Sequence, residues 1–221
     1  MSELAFSNNL KIRFGACLIV SYIVLSALML LFGDYYIKLL LPFFSLAIDI
    51  ISTELQVESI SLGTQGSTQQ ILAVVINPEP LHFQTVSMPA KIPMQLSTLQ
   101  GHVLQHIIII YSLLLAYPPV FKADKLKLLL ISIPFLLVVE FIDIPIVLLG
   151  SAYDLIYSNL ATDLVKSSPL ITMMNFLNGG GRLALSVAAA ICSIGVLKLL
   201  RTFNYNHLLL LVFPNAPRTK I

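Results

Sequence analysis

The sequence predicts a membrane α-helical bundle of about four transmembrane helices, with a small exported antiparallel β domain between helices 1 and 2. Hydrophobic residues make up 57% of the 221 residues, charged residues make up 11%, and the mean hydropathy is +0.89. Apolar stretches of about 20 residues, enough to cross a bilayer, recur along the chain. One central segment instead alternates apolar and polar residues, as strands do. A net charge of +2 is too small to indicate a nucleic-acid partner.

Four apolar stretches are the predicted transmembrane helices. They are Phe14–Phe32, Gly101–Val120, Leu128–Leu149 and Ile171–Leu200. The first is longer than the apolar region of an ordinary signal peptide, and no small-residue cleavage site follows it, so we expect a retained helix. Beyond the fourth, a short apolar segment from Asn206 is expected to form an interfacial helix.

The lysine and arginine residues predict the orientation of these helices. They concentrate before the first helix, between the second and third, and after the fourth: Lys11, Arg13, Lys122, Lys125, Lys127, Lys198, Arg201, Arg218 and Lys220. The other two connections are acidic on balance. By the positive-inside rule both termini are cytoplasmic.

The chain divides into three predicted regions. Residues 1–52 hold the first transmembrane helix and an apolar helix that either lies on the outer leaflet or extends the first span outward. Residues 53–98 form the exported β domain. Residues 99–221 form a three-helix transmembrane region with the short interfacial segment.

The exported region is predicted to be a three-stranded meander that rests on the preceding helix. Its first strand begins near Leu55, its central strand is ILAVVI from Ile71, and its third strand is LHFQTVSM from Leu81. Pro89 and Pro93 then return the chain to the membrane. A sheet this small needs a covering surface to be stable.

The central strand also predicts a partner surface. ILAVVI is apolar on both of its faces, and the helix below can cover only one of them. We therefore expect the other face to meet a membrane or exported protein, through a surface that includes Val74 and Phe83.

Charged and amide side chains inside the apolar stretches mark a candidate intramembrane polar site. Its residues are Glu140, Asp143, Asn175, Asn178 and Arg182. Ionisable residues inside membrane helices are functional candidates by default. We expect Arg182 to pair with Glu140, or with Asp143 as second choice. The site is either a polar pocket that opens to the exterior or a structural clasp between helices.

The three glycines before Arg182, Gly179 to Gly181, allow two interpretations. A glycine run lets helices approach each other closely, and this is the interpretation that we prefer. The alternative is a broken, ligand-binding helix. Pro134 and Pro145 predict kinks in the third helix, which would open space beside the carboxylates.

His102 and His106 form a possible outer-side site, because they lie one turn apart on one helix face. The residues between them are VLQ, so the glutamate of a HExxH zinc protease is absent. Cys17 and Cys192 lie toward the opposite side of the membrane from both histidines, which argues against a cysteine–histidine nucleophile. We therefore expect no catalytic residue, no metal and no cofactor.

The order of elements resembles that of the small accessory membrane proteins of bacterial exosortase systems. The matching pieces are LLLPFFSLAIDII from Leu39, ILAVVINPEPLHF from Ile71, and SLLLAYPPVFKADKLKLLLISIPFLLVVE from Ser112. Exosortases themselves use a cysteine, an arginine and a histidine on the outer face. Arg182 and His102 fit that arrangement, but no cysteine does, so the resemblance implies an accessory role.

The expected function is that of a non-catalytic subunit or accessory protein of a bacterial envelope complex, which presents its β domain to partners. Two alternatives stay open: a transporter-like or lipid-binding protein with an outer-half polar pocket, and a sortase-like membrane transpeptidase. The expected partners are membrane lipids and other membrane or exported proteins. A continuous polar cavity from His102 to Arg182 would favour the alternatives, and a closed clasp would favour the accessory role.

Overall fold

The computed structural model describes residues 2–83, 86–118 and 122–212, and within them the side chains of 11–64, 66–83, 86–118 and 124–202. The helices are α1 (Ser2–Ile51), α2 (Gln100–Ala116), α3 (Lys122–Leu160), α4 (Pro169–Phe176) and α5 (Arg182–Val212). The strands are β1 (Gln56–Gln65), β2 (Thr68–Ile76), β3 (Leu81–Phe83), β4 (Val86–Met88) and β5 (Pro93–Leu99). The chain is thus mostly helical, with a small antiparallel sheet.

Three helical stretches are long and apolar enough to cross a membrane: Lys11–Ile51, Asp124–Leu160 and Pro169–Thr202. The remaining predicted span corresponds to α2, which has 17 residues and is about 26 Å long, somewhat shorter than a bilayer core of about 30 Å. Its predicted end at Val120 was too late, because the helix ends at Ala116, ahead of Pro118. By length and composition the structure supports three spans. The predicted C-terminal interfacial segment begins within α5, and its end lies outside the described residues.

Helix α1 is continuous through both predicted segments of the N-terminal region. Of the two alternatives for its second half, the continuous helix corresponds to an extension of the first span. The stretch from Lys11 to Ile51 has 41 residues, or about 60 Å, which is twice the thickness of the bilayer core. A helix of this length is therefore longer than one crossing of the bilayer core requires.

The predicted third strand of the sheet is wrong. The sheet has the order β1-β2-β5, with both pairs antiparallel, so the third strand is the segment that was expected to return to the membrane. β5 alternates buried Met94, Leu96 and Thr98 with exposed neighbours. The LHFQTVSM segment instead forms the separate β3–β4 hairpin.

A buried asparagine explains this departure. The Asn77 side chain donates to the Glu79 carbonyl at 3.0 Å and to the Pro89 carbonyl at 2.7 Å, and it accepts from the Ile92 amide at 3.0 Å. These bonds close the β3–β4 excursion into a side loop, so that Pro93 pairs with Ile76 at the start of β5. The chain re-enters the sheet through Lys91, whose φ is +61°.

The elements give the bundle two distinct ends. At one end, Arg201 of α5 forms a 2.7 Å ion pair with Asp124 of α3, and Lys125 donates to the Leu115 carbonyl near the end of α2. Helix α1 begins toward this end, because it runs antiparallel to α2. We call it the basic end, after its described cations Lys11, Arg13, Lys125, Lys127, Lys198 and Arg201. The opposite, sheet end carries β1 to β5.

The buried apolar residues form two cores, one toward each end. The sheet-end core joins α1, the sheet, the start of α2, α3 and α4, with fully buried Phe44, Ile71 and Leu148 among its residues. The β domain therefore shares its core with the helices. The basic-end core joins α2, α3 and α5 through Ile110, Leu114, Leu128, Leu136, Val139, Ala189, Ala190 and Leu197.

Candidate functional site

A layer of buried polar side chains lies between the two cores. It consists of His106 on α2, Glu140 and Asp143 on α3, and Arg182 and Ser186 on α5, and we call it the polar layer. On α2 and α3, residues of one core precede it and residues of the other core follow it, and on α5 residues of the basic-end core follow it. The exposed fractions are 0% for His106, Asp143 and Ser186, 1% for Glu140 and 5% for Arg182.

Asp143 is the centre of the polar layer. Its carboxylate accepts from Arg182 Nε at 2.9 Å and 2.8 Å, through its two oxygens. His106 Nε2 lies 3.0 Å from Asp143 Oδ2, and His106 Nδ1 lies 2.8 Å from Ser186 Oγ. One carboxylate thus connects α2, α3 and α5.

The arginine pairs with Asp143, the second choice of the sequence analysis, and among the described contacts no bond joins it to Glu140. The reason is geometric, since residues three apart on a helix are rotated by about 60° from each other. Asp143 faces α2 and α5, whereas Glu140 faces α1 and accepts a 3.4 Å bond from the Tyr36 hydroxyl. Tyr36 is not among the residues predicted for the site.

The polar layer is not completely satisfied by its own bonds. Glu140 Oε2 and Arg182 Nη2 are buried and have no hydrogen-bond partner within the described part of the chain. An unpaired buried polar atom costs stability, about 1–3 kcal/mol. The apolar packing on both sides must therefore help to hold these side chains in place.

The predicted asparagines separate in the structure. The Asn178 side-chain oxygen accepts from Arg182 Nη1 at 2.9 Å, which extends the polar layer to the sheet-end side of α5. Asn175 is exposed and takes no part in the described hydrogen bonds of the layer. The i, i+3, i+7 face expected for an unbroken helix does not form.

The glycine run interrupts the helix, contrary to our preferred interpretation. Residues Leu177–Gly181 form a π-helical turn with a kink at Gly180, where φ is +115°. This is a conformation that only glycine adopts readily. A Cβ at Gly179 or Gly180 would meet nothing within 4 Å, so neither residue serves a close helix contact. The break makes Arg182 the first residue of α5.

The two histidines do not share a site. His102 Nδ1 lies 3.1 Å from the hydroxyl of Thr98 at the end of the sheet, whereas His106 belongs to the polar layer. Among the described residues, no group of three histidine, cysteine or acidic side chains is placed to hold a metal ion. The possible outer-side site therefore divides into a sheet contact and a layer contact.

The predicted partner surface is partly covered. Val74 is half-buried and lies between Ser59 and Gln95 of the neighbouring strands. Phe83 is half-buried and makes an edge-to-face contact with Tyr157, with ring centroids 5.9 Å apart. Val74 therefore has polar neighbours on both adjacent strands, and Phe83 lies outside the three-stranded sheet.

The order Ser186, His106, Asp143 is that of a serine hydrolase triad, but the surroundings differ from those of an active site. The Ser186 hydroxyl lies 2.9 Å from the Arg182 carbonyl and donates to it, and the aspartate is occupied by the arginine. A nucleophile must reach its substrate, and this one is fully buried. The arrangement fits a closed interhelical clasp.

Comparison with known proteins gives no relative: no protein family, curated protein or solved structure matches the chain. The resemblance to exosortase-associated accessory proteins stays a prediction.

Proposed function

We propose that the chain is a non-catalytic integral membrane subunit that presents its sheet end to another membrane or exported protein. The observation that carries the proposal is an exposed apolar stripe on the sheet-end half of α1. Its residues, the α1 stripe, are Tyr35, Leu39, Phe43, Leu46 and Ile50, each between 45% and 73% exposed. They share one helix face, opposite the face that packs on the sheet-end core.

The length of α1 supports a protein partner for this stripe. If Lys11 marks one membrane surface, a bilayer core of about 30 Å is crossed by about 20 residues, which ends near Leu31. The stripe then begins where the helix leaves the hydrocarbon. Large contiguous apolar surfaces outside the membrane mark interaction sites.

The closed polar layer supports a structural role for the membrane helices. Transport or catalysis at Arg182 would need access from water, yet Asp143 and His106 are fully buried. Within this proposal, the narrower role is that of an accessory protein in an exosortase-like system of the bacterial envelope. The order of elements is its only support.

The distribution of charge supports an orientation with both termini in the cytoplasm. The described cations of the basic end lie where α1 begins, α3 begins and the described part of α5 ends. The positive-inside rule assigns that end to the cytoplasm, and thus the sheet end to the exterior of a bacterial inner membrane.

Site-specific photocross-linking in intact cells tests the proposal. A photoreactive residue at Leu46 should cross-link to one discrete protein, and Leu39→Glu in the same chain should reduce that product at least severalfold. The matched control is a photoreactive residue at Leu155, which is 46% exposed on α3 and outside the stripe. Cross-links from Leu46 to lipid alone would mean that the membrane covers the stripe, and the subunit proposal would fail.

A further inference from the structure

A cavity of about 350 Å³ opens between α3 and α5 at the basic end. Its polar part is formed by Asp124, Lys127 and Arg201, and its apolar wall includes Leu130 and Leu200. Both leucines are exposed, at 57% and 47%. Charged groups and exposed apolar surface thus belong to a single cavity.

We propose that this cavity binds the headgroup and glycerol of an anionic glycerophospholipid in the leaflet at the basic end. The two cations outnumber the single carboxylate, so the cavity carries a net positive charge. Basic pockets between transmembrane helices bind anionic headgroups in this way.

The ionic arrangement leaves capacity for a phosphate. Arg201 forms its ion pair with Asp124 through Nη2, and its side chain keeps 33% of its surface exposed. Lys127 is exposed and makes no ion pair with a described side chain. Lys125, two residues earlier, is held by the Leu115 carbonyl and does not line the cavity. Two donors on facing helices therefore remain for one phosphate.

The apolar wall favours a lipid over a free anion. Leu130 and Leu200 extend the cavity toward the membrane, and the same face of α3 exposes Val138 at 54% two turns farther along. An acyl chain would follow this face. A soluble phosphate ester would leave these leucines unused.

Native mass spectrometry of the full chain in detergent, with added phosphatidylglycerol or phosphatidylethanolamine, tests the inference. We expect preferential retention of phosphatidylglycerol. Lys127→Gln should weaken it about fivefold, since one basic residue near a headgroup contributes about that factor. Leu200→Ser should weaken it to a smaller degree, through loss of apolar contact.

Lys198→Gln is the matched control, because Lys198 is exposed on α5 one turn from Arg201 and does not line the cavity. It should leave lipid retention unchanged. Equal losses in the Lys127→Gln and Lys198→Gln variants, or equal retention of both lipids, would overturn the proposal. Competition by glycerol phosphate as strong as that by the lipid would reassign the cavity to a soluble anion. The substituted residues Lys127, Lys198 and Leu200 are all exposed. The melting temperatures of these variants without added lipid should therefore match that of the parent chain.

Discussion

The two halves of α1 use similar sequences in different ways. In the sheet-end half, Ile37, Leu40, Phe44 and Ile48 are at most 3% exposed and pack against the sheet and α3. In the other half, from Lys11 to Phe32, no residue is buried. Gly33 packs closely against Leu104 of α2, and before it, from Tyr22 to Leu30, a groove lies between α1 and α2.

This difference shows why apolar composition does not predict packing in a membrane protein. Lipid is as apolar as leucine, so a membrane helix gains little by burying its leucines against other helices. Outside the hydrocarbon the same burial is favourable by about 25 cal/mol per Å². In agreement with this, the half of α1 that has buried residues is the half that packs on the sheet.

The largest expected effect comes from the polar layer at the boundary between the two cores. Arg182→Leu should lower the free energy of unfolding by about 3–5 kcal/mol, because it leaves Asp143 buried without its ion-pair partner. Adding Asp143→Leu should recover part of that loss. Denaturant titration in mixed micelles measures both. Asn175→Leu, an exposed change outside the layer, is the control and should be nearly neutral.

The same cycle with Glu140→Leu separates the two carboxylates. Since Glu140 bonds Tyr36 and not Arg182, its coupling energy with Arg182 should be smaller than that of Asp143. Strong coupling to Glu140 and additivity with Asp143 would contradict the geometry described here.

Two isoleucines on α1 test the difference between the two halves of this helix. Ile37 is 0% exposed in the sheet-end half and Ile23 is 61% exposed in the other half. Ile37→Ala should cost about 2–5 kcal/mol through lost burial and a cavity, whereas Ile23→Ala should change the melting temperature little. Similar losses for both variants would mean that the basic-end half of α1 is also packed, on lipid or on another chain.

The sequence predicted the fold where one physical signal dominates. Apolar length located the three long membrane helices, and the turn residues NPEP located the end of β2. The alternation of apolar and polar residues predicted the wrong third strand. Which segment joins the sheet depends on the Asn77 side chain, whose hydrogen bonds reach residues 12 and 15 positions away. The spacing of residues in the sequence does not indicate such a contact.

The residues of the candidate site were easier to predict from the sequence than the hydrogen bonds and ion pairs between them. Opposite charges on neighbouring helices placed Arg182 and the carboxylates at one level, but which carboxylate faces the arginine depends on helix rotation. The helix break at Gly180 interrupts the continuous helix face on which Asn175 was predicted to lie. Ser186 could have been found, because it lies four residues after Arg182 and one turn along the same face.

The smallest expected effect compares two glycines, one in each core region. A Cβ at Gly150 of α3 would lie 2.6 Å from the Met174 Cβ and 2.9 Å from the Leu170 carbonyl, so α3 and α4 would have to move apart. A Cβ at Gly195 of α5 would meet nothing within 4 Å. Alanine is more favourable than glycine in a helix by about 0.5–1 kcal/mol, and both substitutions gain this free energy. Only Gly150→Ala adds a steric clash. Gly150→Ala should therefore destabilise by about 1–3 kcal/mol through overpacking, while Gly195→Ala should be neutral or stabilising in the same thermal measurement. A stabilising Gly150→Ala would mean that α4 is held less tightly against α3 than these distances require, and the contrast between a close-packed sheet end and a looser basic end would then be lost.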